Sequence, residues 1–360
     1  AAGQVPLEAG ASLAVSLVSG DAEWTAVGTV TEVIGERVLA FGHGMFGQGD
    51  LELPMGPSMV HTVVPSQYSS FKLGSALRMT GALTRDEYLG VAGRIGRAAG
   101  QVPMRVAVDF RPDGRRRTFR YRLCRHDDVT PFLPAALVDS SVLDLRDLPI
   151  EHTVRYEVEL DYGDLGRYRS ANVSSGWGLM DALWELDGVL GAMAYNPFAK
   201  PRLPESVRAQ VTVREGTRDA MILALTLDAP VYRPGETVTG TLRIRPFRQE
   251  RTSRRVRFVL PDDLPEGAYT LEACDGYTAS RRLRQEQPHR FDPETQRELF
   301  AVLQRVAAPR LDRLYLRLPL PDEGLAIGEQ ELPALPPSRA ALLHEANVPD
   351  VMPFRRALVR

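Results

Sequence analysis

Short apolar runs, each broken by Gly, Pro or Asp, restrict this chain to folds assembled from many short strands. Between residues 12 and 124 the runs are Ser12–Val18, Ala26–Val33, Val38–Phe41, Met59–Val64 and Met104–Phe110. Thr118 to Leu123 then alternates as Thr-Phe-Arg-Tyr-Arg-Leu, the period of a half-buried strand. Strands at this spacing predict a closed or nearly closed barrel rather than a parallel sheet with crossover helices.

The pattern changes along the chain, and four segments are expected. Residues 1–145 form the barrel. Residues 146–205 are a mixed α/β connection, with a strand over Val154–Leu160. A helix is read over Trp177–Met193, whose apolar face is Leu179, Leu183, Leu186, Leu190 and Met193, with Asp181 and Glu185 off that face. Residues 206–276 return to strands at Val207–Val213, Ala220–Leu227, Thr237–Ile244, Arg255–Leu260 and Tyr269–Ala273. Turns at Arg233–Glu236 and Leu264–Gly267 suit an immunoglobulin-like sandwich. Residues 277–360 carry a helix capped by Asp292 with Pro293 at its first position, a strand over Leu314–Leu318 and an extended Pro-rich tail around Leu332–Ser338. The fold class expected is mainly β: a barrel, then a sandwich, with a few helices in the connecting and C-terminal segments.

At 360 residues, 25% charged and 44% hydrophobic, the chain has the composition of a water-soluble globular protein with several cores. A net charge of −2 gives no global electrostatic case for nucleic acid or an anionic membrane. No stretch reaches the roughly 20 uncharged apolar residues of a spanning helix. The best, Gly176–Phe198, is interrupted by Asp181, Glu185 and Asp187. Ala1 to Gly10 lacks the basic start and apolar run of a signal peptide. Cys124 and Cys274 fall in different segments and spell neither a disulfide framework nor a metal motif. Lys72 and Lys200 are the only lysines.

The stretch most suggestive of chemistry runs from Gly28 to Lys72. A strand ending in Leu39-Ala40-Phe41 delivers His43 into the turn Gly42-His43-Gly44, where the flanking glycines leave the imidazole free to face a cleft. Gly28-Thr29-Val30-Thr31 precedes it and Gly90-Val91-Ala92-Gly93 follows. Over residues 10–140 this order resembles the SpoIVB peptidase family of serine peptidases. The family's Gly-Thr-Val-Thr run, Phe-Gly-His or Leu-Gly-His turn and Gly-Ile-x-Gly step occur in the same succession. The resemblance implies a trypsin-like barrel, an exported or cell-envelope bacterial protein, and peptide-bond hydrolysis through an acyl-enzyme with His43 as base. By position it implies Asp127 or Asp128, in His126-Asp127-Asp128, as the carboxylate that orients the imidazole. Asp50 and Asp86 are the competing choices, and each reads as a solvated turn residue.

The chain departs from the family at the nucleophile. The family's serine lies in a Gly-Met-Ser-Gly-Ser-Pro turn, whose glycines let backbone amides form an oxyanion hole. The corresponding stretch here is Phe132 to Ser141, where neither Ser140 nor Ser141 has a glycine beside it. Bacterial relatives with this kind of block carry the turn upstream of the histidine. The resemblance then implies a nucleophile before Ala1, in a removed or separate segment of the same precursor. A local alternative is Ser70 with Lys72, which share a face if the segment is extended. No His or Cys pairing has the spacing of a metal site, and no cofactor motif is present, so neither a metal nor a cofactor is expected. The expected partner is a polypeptide substrate or another protein. The rival expectation is a non-enzymatic cell-envelope module that uses a peptidase-like fold to bind protein.

Overall fold

In this computed structural model the structure describes every residue except 1–4, 69, 177–179, 329, 334 and 346–350. Seven strands come first: β1 (Ser12–Gly20), β2 (Trp24–Ile34), β3 (Arg37–Ala40), β4 (Gly49–Val64), β5 (Phe71–Ala76), β6 (Gly81–Glu87) and β7 (Gly90–Ile95). Six of them close a barrel in the order β1-β2-β3-β7-β6-β4, sealed where Leu13, Ala14 and Val15 pair with Pro57, Gly56 and Met55. Leu13, Val15, Val30, Val38, Leu53, Met55, Leu83 and Val91 are buried in its interior. Full burial of each such side chain contributes about 1.5–3 kcal/mol. Closure also leaves these strands without a free edge inside the barrel.

Strand β4 is long because it serves three partners in turn. Its first part pairs with β6 and its middle with β1; its last part leaves the barrel and pairs with β5 alone. The resulting β4–β5 ribbon exposes Met59, Val63, Phe71 and Leu73.

A second sheet grows from the barrel through β8 (Gln101–Phe110) and β9 (Arg115–Cys124). Three residues of β1, Val18 to Gly20, join β9 to the barrel. Helix α1 (Leu133–Leu145), β10 (His152–Asp161), β11 (Arg167–Ser175), α2 (Met180–Ala194) and β12 (Ser206–Glu215) complete this layer, in the strand order β11-β10-β12-β8-β9. Alternation places Val207, Ala209, Val211 and Val213 under the helices and Arg208 and Gln210 in water.

This arrangement corrects two expectations. Strand β12 does not open a sandwich; it lies parallel to β8, from Val207 opposite Met104 to Val213 opposite Phe110. The chain between them makes a helix-bearing crossover, which the short apolar runs alone did not reveal. Helix α1 occupies the stretch aligned above with the family's nucleophile turn. It is apolar on most sides, burying Leu133, Ala135, Leu137, Val138 and Val142, so no amphipathic stripe announced it. The α2 face is as expected at Leu186, Leu190 and Met193, all buried, while the expected start at Trp177–Leu179 lies outside the described residues. Glu185 is no bystander: its carboxylate accepts hydrogen bonds from Tyr156 (3.0 Å) and Tyr168 (2.8 Å), tying α2 to the sheet.

The remaining chain makes two small facing sheets. One is β13 (Ala220–Leu227), β14 (Thr237–Pro246) and β15 (Thr252–Val259). The other is β16 (Glu272–Asp275), with β17 (Leu314–Ile327), β18 (Gln330–Leu332) and the final β19 (Val351–Val359). Val238, Phe258, Leu260, Leu316 and Leu318 form the core between them. Helix α3 (Gly276–Glu286) packs on β16, β17 and β19, whereas α4 (Gln296–Ala307) packs on β11 and α2, with Phe300 against Tyr162 in the core of the second layer, and α5 (Pro337–Glu345) follows β18. The cap of α4 is Thr295, not Asp292: its side chain accepts from the Glu298 amide at 3.2 Å, and Glu298 accepts in return from the Glu294 amide. Thr-Gln-Arg-Glu is a capping-box sequence, which outweighs the Asp-Pro pair just before it. The expected extended tail gives way to α5, and its Ala334 lies outside the described residues.

Candidate functional site

Three short sequence blocks meet at one end of the barrel. Ala40 pairs with Val91, which joins the Phe41-Gly42-His43 turn to the Gly90–Gly93 strand. The Phe41 amide donates to the Thr29 carbonyl at 2.9 Å, which joins the same turn to the Gly28–Thr31 strand. Gly28 is required there, because a Cβ on it would sit 2.0 Å from the Phe41 ring. Phe41 itself has φ 75° and Gly42 φ 73°. A bulky residue in the left-handed region costs about 1–3 kcal/mol and persists only where its surroundings hold it. Here the ring clamped on Gly28 holds it, and the reversed chain turns His43 outward.

His43 is exposed, with its ring tilted against Phe41 at a centroid distance of 5.8 Å. Its Nδ1 lies 2.8 Å from the Gly44 carbonyl. A carbonyl only accepts, so this bond requires the proton on Nδ1 and leaves the Nε2 lone pair of the neutral ring open to solvent. A neutral ring held this way can accept a proton at Nε2; its bond is to backbone alone, which a histidine that simply caps a tight turn also makes.

The carboxylates take other positions. Asp86 is fully buried beneath the turn and receives the amides of Met45 (2.8 Å), Phe46 (2.6 Å) and Gly47 (2.9 Å). It shapes the loop that carries His43 and does not touch the ring. Its reading as a solvated turn residue is thereby corrected: the even spacing of Thr84-Arg85-Asp86 on β6 points Asp86 inward beside the loop. Asp50 pairs with Arg85 on the surface at 3.3 Å. Asp127 and Asp128 do not bond His43, because both follow the end of β9 where the chain turns toward α1. The Asp128 amide instead donates to Nδ1 of His126 at 3.2 Å.

His126 is the residue of that stretch that reaches the His43 loop. It is buried, its ring centroid lies 4.5 Å from that of Phe46, and Thr130 Oγ1 accepts its amide. Because Nδ1 accepts, Nε2 carries the proton, and Nε2 has no hydrogen-bond partner among the described residues. Burial holds the His126 imidazole below its ordinary value, partly offset by the charges of Asp128, Asp127 and Asp86. A sequence signal for this residue was present in His-Asp-Asp-Val-Thr, where a Thr four residues on closes the turn.

Neither serine alternative forms a dyad. Ser70 Oγ bonds the backbone of Ser66, while Lys72 Nζ donates to Thr29 Oγ1 at 2.5 Å. Ser70 and Lys72 therefore bond different partners rather than each other. Ser141 is buried in α1, donating to the Leu137 carbonyl at 2.6 Å and bonded to Tyr121 at 2.8 Å. Cys124 and Cys274 are free and buried, and burial pushes the Cys124 thiol up to about 11, the character of a packed thiol rather than a nucleophile. Among the described residues no three His, Cys, Asp or Glu side chains gather to hold a metal, and no helix is long and apolar enough to cross a membrane.

No family model, curated protein or solved structure matches the chain.

Proposed function

We propose that the β1–β7 barrel is that of a SpoIVB-type serine peptidase, in which His43 serves as general base for a hydroxyl supplied by another polypeptide segment. The observation that carries this reading is the outward His43, held on a strained Phe41-Gly42 turn with Nδ1 fixed and Nε2 free. Strain of this kind gathers at sites where geometry matters more than stability. On this reading the barrel is trypsin-like, the facing small sheets are an immunoglobulin-like companion, and the protein works outside the cytoplasm on polypeptide substrate. This chain alone hydrolyses little, since Ser70, Ser141 and Lys72 are engaged elsewhere.

The test uses protein expressed from the complete gene and a serine-directed fluorophosphonate probe. Covalent labelling that disappears in His43→Ala supports the peptidase. Labelling indifferent to that change, or none at all, removes it.

A second reading is favoured by the β4–β5 ribbon, whose Met59, Val63, Phe71 and Leu73 are each more than half exposed. Solvated apolar ribbons of this sort suit a non-enzymatic module that docks protein. Retained partner capture by a His43→Ala protein with no probe labelling in either form would select it.

A further inference from the structure

The water-facing side of the second sheet is laced with charge, and most of that charge is paired. Arg167 pairs with Asp161 at 3.0 Å, Arg116 with Asp109 at 3.1 Å and Arg155 with Asp312 at 3.0 Å. Glu159 is shared among Arg169 (2.8 Å), Arg208 (3.1 Å) and Arg167 (3.8 Å).

One row departs from this pattern, with only Arg208 of its four arginines paired. Register places Arg208 of β12 beside Arg105 of β8, and Arg105 directly opposite Arg120 of β9. Arg122 follows on the same face, opposite Ser19 of β1. All four arginines are exposed, and they border a shallow groove with Ser19 and Ser206. The side chains of Arg105, Arg120 and Arg122 have no carboxylate partner among the described residues. Asp21 accepts the Arg120 amide and faces Arg117. Like charges directly opposed across a ladder destabilise a sheet. The row therefore does nothing for the fold that Gln or Thr would not do better.

We propose that this row is a binding site for the phosphate group of a soluble phosphorylated ligand, with Arg105 and Arg120 as its principal contacts and Arg122 and Arg208 flanking them. Adjacent strands lie about 4.8 Å apart, so guanidinium forks on neighbouring strands can reach one common point. A phosphomonoester concentrates close to two negative charges and three acceptor oxygens at such a point. Acidic side chains of an extended peptide bring single charges about 7 Å apart along one face. Planar forks suit phosphate bidentately, and the Ser19 and Ser206 hydroxyls supply further donors at the rim. A lipid surface fits poorly: none of the large exposed apolar side chains lies on β8 to β12.

The experiment is calorimetric titration of the full chain with inorganic pyrophosphate at low salt, comparing native protein with the R105Q/R120Q double variant and with R214Q. Arg214 is an exposed arginine further along β12, and its loss changes net charge without touching the row. Native protein and R214Q are expected to bind alike, and the double variant about tenfold or more weakly. Added salt should weaken native binding. Without ligand the double variant should melt at or above the native temperature, because repulsion is relieved. The proposal is overturned if native protein does not bind pyrophosphate, if R214Q weakens binding as much as the double variant, or if the double variant melts below native protein. Tighter binding of a polyglutamate peptide or of phosphatidic acid/phosphatidylcholine vesicles than of pyrophosphate would equally overturn it.

Discussion

Asp86→Asn is the substitution that most directly tests how the His43 loop is held. The carboxylate receives three backbone amides from a fully buried position, Oδ1 serving Met45 and Oδ2 serving Phe46 and Gly47. An asparagine keeps one oxygen. Turned toward Phe46 and Gly47, it presents its own N–H groups to the Met45 amide, so one bond becomes donor against donor. The other two lose their charge assistance. Hydrogen bonds to charged groups contribute about 1.5–3 kcal/mol each, and two of the three amides belong to exposed residues that water can partly serve. The net cost is then about 2–3 kcal/mol, rising to about 3–5 kcal/mol for Asp86→Ala, which orphans all three. Urea unfolding of the barrel should show the lower midpoint at unchanged slope. Amide exchange should accelerate at Met45, Phe46 and Gly47 more than at core positions such as Val15 or Leu53. A destabilisation below about 0.5 kcal/mol, or exchange unchanged at those amides, would show that the loop does not depend on Asp86.

Two further outcomes follow from buried groups. His126 has a folded-state value below its unfolded one, so between the two the unfolded chain binds the extra proton. Stability from this residue is therefore full above the unfolded value near 6.5 and is lost as pH falls below it toward the folded-state value; His126→Asn should flatten the decline in melting temperature seen as pH falls below about 6.5. Glu185→Ala strips the acceptor from the buried phenols of Tyr156 and Tyr168, and a loss of about 2–4 kcal/mol in denaturant titration is expected, whereas Trp184→Ala on the exposed side of α2 should change little.

What the sequence disclosed was mostly what local alternation encodes. Strands β1 to β3 of the barrel could be read from short apolar runs, and β9, β10 and the apolar face of α2 from period-two and period-3.6 patterns; β6, β7 and the barrel part of β4 could not, because glycines and charges break their runs. Partnership could not. Val207 to Val213 reads as a strand anywhere, and only the packing of α1 and α2 over it decides that it joins β8. Helix α1 stayed hidden because burial on most sides erases the stripe that marks a helix. At the candidate site, His43 was legible because glycines bracket it. Asp86 was not: a buried carboxylate and a solvated one look identical in sequence until the loop it anchors is known. The arginine row was equally silent, since Arg105, Arg120 and Arg208 lie far apart in the chain and become neighbours only through register.

The parallel β8–β12 pairing also dictates an order of events as the chain leaves the ribosome. Everything the barrel needs has emerged by Ile95, and its contacts are comparatively local. The second sheet must wait for Val213, more than a hundred residues after β8. Throughout that delay β8 offers an unfilled edge with Val106, Val108 and Phe110 behind it, the kind of surface on which nascent chains stick to one another. Closure of these distant partners is therefore the slow step expected in folding, and the one that leaves the β8 edge open longest.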